Sequence, residues 1–370
     1  MEEDTNGFIY AGLKTGMCRF DGYEFVNYLS DPNDPYSIYD GRIMKILRAE
    51  SGTMLVGSEA GFQFFDPIKE QFYPSFLDTL NPLNVINDVV SILEDKSGLI
   101  WVGTWDGLFC IESSRSLMTQ QSFKDAALKG DIKVVHHPLR EFLSIQNRTP
   151  IIWDIKEDPR GDRICMATNQ GLLYYDLNTK DFVVPDIFDD NPVGYKQYET
   201  LHALNFDSNY NLWLGSENTC MVYDLEGSKF YDLPAFDTLS STVMQITVDV
   251  DSNIWVGSDG EGVFKFDQDF NFVLKCENQI SDPYSLQENN VHVVQFSSKG
   301  NLMISNHLGF GFHDPKQKAF NHYFPTGKKG SIPLGRVEVI ARGSKDRIWV
   351  GVDDAGVGCL NTISNKFDFL

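Results

Sequence analysis

The sequence has no apolar run approaching the ~18–20 residues that a membrane-crossing helix needs. Basic residues are scarce: 31 Lys+Arg stand against 52 Asp+Glu, a net charge of −21. A field of that sign repels phosphate backbones and anionic bilayers, so neither nucleic acid nor a membrane surface is an expected partner. The opening Met1-Glu2-Glu3-Asp4 lacks the basic and apolar regions of a secretory signal. The six cysteines (Cys18, Cys110, Cys165, Cys220, Cys276, Cys359) form no C-x-x-C pair and no metal-ligand spacing, and favour neither a disulfide framework nor zinc. There is no G-x-S-x-G, no Walker loop and no G-x-G-x-x-G. No catalytic residue, metal or cofactor is assigned. No segment sustains a 3.6-residue period, which argues against helices. At 42% hydrophobic and 13% aromatic over 370 residues, the chain still has ample material for a large core.

What is there is a repeat. The clearest copies are Gly98-Leu-Ile-Trp101-Val-Gly103, Asn211-Leu-Trp213-Leu-Gly215, Asn253-Ile-Trp255-Val-Gly257 and Arg347-Ile-Trp349-Val-Gly351. Weaker ones end at Gly12, Gly57, Ala167 and Ser305, making eight. Successive copies are 45, 46, 64, 48, 42, 48 and 46 residues apart, so the one long step marks an insertion, about residues 113–149. Each copy is flanked by further short apolar runs, such as Val89–Leu93 upstream and Gly171–Asp176 downstream, bounded by Gly, Asp, Asn or Pro. Four short antiparallel strands per unit, about 46 residues each, describe an all-β propeller of seven or eight blades, the first incomplete. One four-stranded sheet cannot bury both faces; stacking around a ring can. The four Trp residues are expected in the packed layer between blades, and the small residue two places later is expected to serve the turn into the third strand.

The pattern of apolar strand, Asp, Leu/Ile-Trp-Val-Gly and Gly-Leu-aromatic-Asp resembles the two-component regulator propeller repeat. Phe20-Asp21-Gly22-Tyr23-Glu24-Phe25 and the linkers at Asp31–Ser37 and Ser281–Ser285 look like that family's connections. The resemblance covers essentially the whole chain. It implies a periplasmic sensor region of hybrid two-component systems in gut Bacteroidetes, where two seven-bladed rings precede a β-sandwich, a membrane helix and a kinase. It implies oligosaccharides as ligands, with downstream signalling domains or a second copy of the chain as partners. This sequence departs in having about one ring's worth of repeats, no membrane helix and no kinase His box.

In a propeller, the turn between the second and third strands and the connection to the next blade share one side. Here the connections to the next blade vary (29–41, 74–87, 113–149, 185–199, 233–241, 277–289 and 325–335), whereas the turns between first and second strands are short and alike. Variation belongs on a binding face. On that side the residue two after each motif reads Lys14, Glu59, Trp105, Asn169, Glu217, Asp259, His307 and Asp353, with no blade-to-blade repetition. Trp105 stands out as a ring able to hold a sugar face, and Trp153, at the start of an inner strand, is the second aromatic candidate. The insertion carries Arg115, Lys124, Lys129, Lys133, His136, His137 and Arg140, read as a rim excursion or a lid, with His136-His137 lacking a metal-ligand frame. Asp95-Lys-Ser-Gly-Leu-Ile-Trp101 is similar to the Asp-box turn of sialidase propellers, itself a structural turn. Two alternatives stand beside the sensor: a glycoside hydrolase or lyase, which would need two carboxylates ~5–9.5 Å apart, and a protein–protein scaffold.

Overall fold

A computed structural model of the protein describes residues 1–39, 41–73, 88–112, 133–139, 150–185, 200–231, 233–236, 239–279, 282, 285–313, 323, 325–344, 346–364 and 366–369. The chain divides into two compact units, Met1–Asn278 with Leu286–Asp314, and Gln279–Ser285 with Pro315–Leu370. Each sheet is a plain antiparallel meander of consecutive strands, as short β-rich runs joined by tight turns dictate. The first unit holds seven sheets, the last with three strands among the described residues.

The innermost strands of these seven are Glu2–Glu3, Ile43–Arg48, Val89–Glu94, Ile152–Glu157, Leu201–Phe206, Val243–Val248 and Val293–Phe296. Side chains of four of them bond to the backbone of the next. Ser91 Oγ donates to the Ile152 carbonyl (3.0 Å), Asp154 accepts from Leu204 N (3.2 Å), Asn205 Nδ2 donates to the Ile246 carbonyl (3.0 Å) and Gln245 accepts from Val294 N (3.2 Å). Gln295, in the register of Asn205, donates to Glu2 Oε2 (3.1 Å) and so joins the seventh sheet to the first. The opposite end repeats the link. Glu94 and Glu157 accept from Glu50 N and Lys96 N in the preceding sheet's first turn, and Glu3, in the same register, accepts from Ser298 N. Seven sheets therefore close the ring of the first unit.

The core lies between sheets. Trp101, Trp213 and Trp255 are 2%, 0% and 8% exposed, and each indole Nε1 donates to an aspartate six residues earlier: Asp95 (2.7 Å), Asp207 (3.0 Å) and Asp249 (2.9 Å). Those carboxylates also accept backbone N–H groups of their own turn, Ser97 and Leu99, Asn209 and Asn211, Asp251 and Asn253, so one side chain ties the turn to the core. The motif glycine acts differently from the sequence expectation. Its φ is not in the left-handed region at Gly57, Gly103 or Gly215, and a Cβ there would fall 2.3 Å from Val89 Cγ1, 2.8 Å from Ile152 Cγ2 and 2.4 Å from Val243 Cγ1. The residue is small because the first side chain of the next innermost strand fills its place.

The stretch expected as an insertion contains the fourth strand of the third sheet, Lys133–Pro138, paired with Gly107–Glu112. His136 stacks on Phe109 (ring centroids 4.3 Å) and His137 lies on Tyr175 (4.7 Å). Residues 113–132 and 140–149, and with them Arg115, Lys124, Lys129 and Arg140, lie outside the described residues.

The second unit has one sheet, Val337–Arg342, Arg347–Val352, Gly356–Asn361 and Lys366–Phe369. Its first strand is exposed along its whole length, and Trp349, expected in a packed layer, is 37% exposed. A lone sheet has no second layer of its own to cover both faces.

Candidate functional site

Five innermost strands of the ring carry the same irregularity. Their first residue pairs with the last residue of the second strand, their third pairs one place earlier, and the second is bulged out: Met44, Val90, Trp153, His202 and Met244. His292 takes this place in the seventh sheet, its backbone N–H bonded to the Ser305 carbonyl (2.9 Å). Bulges re-aim side chains. Register puts all six at the end where the second and third strands turn, which is the end carrying the variable loops.

Those turns are held firmly. The hydroxyls of Ser58, Thr104, Thr168, Ser216 and Ser258 each bond across the turn, to the carbonyls of Gly61 (3.0 Å), Gly107 (3.0 Å), Gly171 (2.7 Å), Thr219 (3.2 Å) and Gly262 (3.0 Å). Gly107 needs its freedom: φ is +156° and the His137 carbonyl lies 2.6 Å from where a Cβ would stand. The tips are thus presented by rigid elements.

On the fourth to sixth sheets, several polar atoms at this end are buried with no partner among the described residues. Trp153 Nε1 and His202 Nε2 have no hydrogen bond among the described residues, and their rings face each other across neighbouring sheets at 5.0 Å between centroids. Both side-chain atoms of Gln170, the Ser241 hydroxyl and Asp259 Oδ1 are in the same condition. A buried group left unpaired costs ~1–3 kcal/mol, and these five residues all belong to the end where the second and third strands turn. Burial holds the His202 imidazole below its ordinary range, against the pull of Glu217, so the ring is neutral at pH 7.

The seventh sheet adds a relay. His292 Nε2 and His307 Nε2 are 3.1 Å apart, one donating and the other accepting, and Glu288 Oε1 lies 3.5 Å from His307 Nδ1 and accepts from the His307 backbone N–H. His292 is also held low, by burial first and then by His307, while Asp259 and Glu288 draw it back.

The structure brings some of the sequence candidates together and spends others. Trp105 is 37% exposed on the turn of the third sheet. Lys14 and Glu217 are exposed turn residues of the first and fifth. Glu59 is taken by Arg42, whose Nη2 is 3.0 Å from Oε1. Asn169 Oδ1 accepts from Ile151 N (2.9 Å) and so anchors the entry to its innermost strand. Asp353 belongs to the second unit, where its N–H bonds the Arg336 carbonyl (2.9 Å). His202, Gln170, Ser241 and His292 escaped the sequence reading. For His202 and His292 the available signal was a polar ring in register with Trp153 at the start of an innermost strand; Gln170 and Ser241 carried none. Among the described residues no group of three or more His, Cys, Asp or Glu is placed to hold a metal ion.

Acid should loosen the fold before it protonates the carboxylates. His137, His202 and His292 all sit below the ordinary imidazole range because burial disfavours the cation. As pH falls through ~6.5 the unfolded chain takes those protons first, so folding stability declines. Thermal midpoints measured from pH 7.5 to 5.5 are expected to fall, and His202→Gln to flatten the slope; an unchanged slope in that variant would contradict the assignment.

Seven antiparallel meanders, six of four strands and one with three among the described residues, whose innermost strands ring an axis define the first unit as a β-propeller. Residues 85–106 match the family model of the two component regulator propeller, and the chain carries that repeat. It is similar in fold to the extracellular domain of BT3049 from B. thetaiotaomicron, described as a hybrid two component system (17% identity, TM-score 0.78, covering 100% of this chain and 46% of that one). A similar match is the extracellular domain of BT4673 from the same organism, described as a one component system (16%, TM-score 0.65, 99% and 51%). Streptogramin B lyase shares the fold as well (12%, TM-score 0.59, 84% and 91%). The chain thus spans about half the length of the two extracellular domains it matches. No curated protein matches.

Proposed function

We propose that this chain is the sensor propeller of a two-component type regulator, working outside the cytoplasm, and that it binds an oligosaccharide at the bulge-lined end of the ring. The observation that carries the reading is the aromatic pair Trp153–His202, whose buried ring nitrogens lack partners among the described residues. Sugars offer what such a surface lacks: a C–H face to lie on a ring, and hydroxyls that both donate and accept. Trp105, exposed on the turn of the third sheet, is a further ring for a sugar face, and the exposed His307, Glu217 and Lys14 are further polar side chains on turns at this end. The signal would pass to a following domain or to a second copy of the chain.

Calorimetry of the chain against a panel of neutral and acidic oligosaccharides tests this. One member is expected to bind, and Trp153→Ala to weaken it about thirtyfold, ~2 kcal/mol. No binding by any member, or binding indifferent to Trp153, would count against the reading.

A hydrolase or lyase is the second reading, and the Glu288–His307–His292 relay favours it, since a carboxylate-oriented imidazole is a general-base arrangement. It requires turnover of a glycan that His292→Gln abolishes without loss of binding. A scaffold would instead capture a protein with no sugar dependence.

A further inference from the structure

His292 stands just before the innermost strand of the seventh sheet and His307 just after its second strand, so antiparallel pairing sets them side by side at the bulged end. Backbone bonds fix both: His292 N–H donates to the Ser305 carbonyl (2.9 Å), and His307 N–H donates to Glu288 Oε1. The two Nε2 atoms are 3.1 Å apart, yet the ring centroids are only 4.4 Å apart and the ring planes meet at 86°. A straight N–H···N bond would carry the centroids ~2 Å further apart than the nitrogens. The bond between these rings is therefore bent, and bent bonds are weak.

The same spacing suits a shared ion better. Two imidazole nitrogens each ~2.0–2.1 Å from one metal stand ~2.9 Å apart at a right angle and ~3.4 Å apart at the tetrahedral angle, and the 3.1 Å here falls between. Glu288 Oε1, 3.5 Å from His307 Nδ1, stands behind that ring as outer carboxylates stand behind metal-ligating histidines. A second observation comes from the sixth sheet: Asp259 acts electrostatically on His292, and its Oδ1 is buried with no hydrogen-bond partner among the described residues. No described group of three forms a complete ligand set, so Asp259 has the place of an acceptor for a metal-bound water and not of a third ligand. The His307 side chain is 50% exposed, which gives an ion its way in.

We propose that His292 and His307 chelate one divalent transition ion of the Zn2+ class through their Nε2 atoms, with Glu288 as the positioning carboxylate and water in the remaining places. Imidazole selects such ions over Mg2+ and Ca2+, which prefer all-oxygen sites. This assignment stands apart from the oligosaccharide reading, since it needs only the geometry of the seventh sheet.

Calorimetry with ZnCl2 on the whole chain, stripped beforehand with a chelator, tests it beside His307→Gln, Glu288→Gln and His313→Gln. His307 and His313 are both exposed, so neither change removes core packing. One equivalent of Zn2+ is expected to bind. Its affinity is expected to fall about a hundredfold in His307→Gln and about tenfold in Glu288→Gln, and to stay the same in His313→Gln. Excess Mg2+ is expected not to compete. Long-range 1H–15N correlation spectra should show the Nε2 signals of His292 and His307 moving together as Zn2+ is added. No equivalent bound, or binding that His307→Gln leaves intact, would overturn the proposal.

Discussion

Replacing Asp207 by alanine is expected to cost ~4 kcal/mol, the largest effect of any single substitution considered. Its carboxylate is buried and accepts from Asn209 N (2.8 Å), Asn211 N (2.9 Å), Asn211 Nδ2 (2.9 Å) and Trp213 Nε1 (3.0 Å). Alanine leaves an indole N–H, fully enclosed with Trp213, and the turn's own N–H groups without acceptors, each worth ~1–3 kcal/mol when water cannot reach. Asp207→Asn keeps one carbonyl oxygen and should lose about half as much. Urea unfolding followed by Trp fluorescence checks both, and equal losses for the two variants would contradict the hydrogen-bond account.

Gly103→Ala is expected to cost ~3 kcal/mol by overpacking. The added Cβ would stand 2.3 Å from Ser91 Oγ and 2.9 Å from Ile152 Cβ. Neither can retreat cheaply: the Ser91 hydroxyl is bonded to the Ile152 carbonyl (3.0 Å), and Ile152 is β-branched and fully buried between sheets. Gly311→Ala supplies the control, with ordinary φ and nothing within 4 Å of its Cβ position; it should change stability by less than ~0.5 kcal/mol. If the two variants lose equally, the motif glycine is not there to admit the neighbouring sheet.

Much of the architecture is written into the repeat because each blade solves the same packing problem with the same residues. Trp213 and its Asp207 are legible together, as are the Gly-led third strands. The count was legible in principle through Glu3, Glu94 and Glu157, which share a register and a bond to the preceding sheet, but a shared register is visible only once strands are paired. The strand Lys133–Pro138 hid behind its composition: two adjacent histidines read as polar excursion until Phe109 and Tyr175 are seen beneath them. The site was half legible. Trp153 stood out by type, whereas His202, Met44, Val90 and Met244 are united only by a bulge that backbone pairing creates. Glu59 and Asn169 looked like contacts because turn residues that differ between blades suggest recognition, yet each is committed to a local bond, with Arg42 and Ile151.

Hydrogen–deuterium exchange, with and without the panel oligosaccharide that binds most tightly, measures directly which end of the ring does the recognising. Slowed exchange is expected in peptides spanning 150–155, 200–204 and 257–262, while the first turns at 95–99, 207–211 and 249–253 keep their rates. Protection confined to those first turns, or to the outer strands, would show that the bulged end is not where the ligand sits.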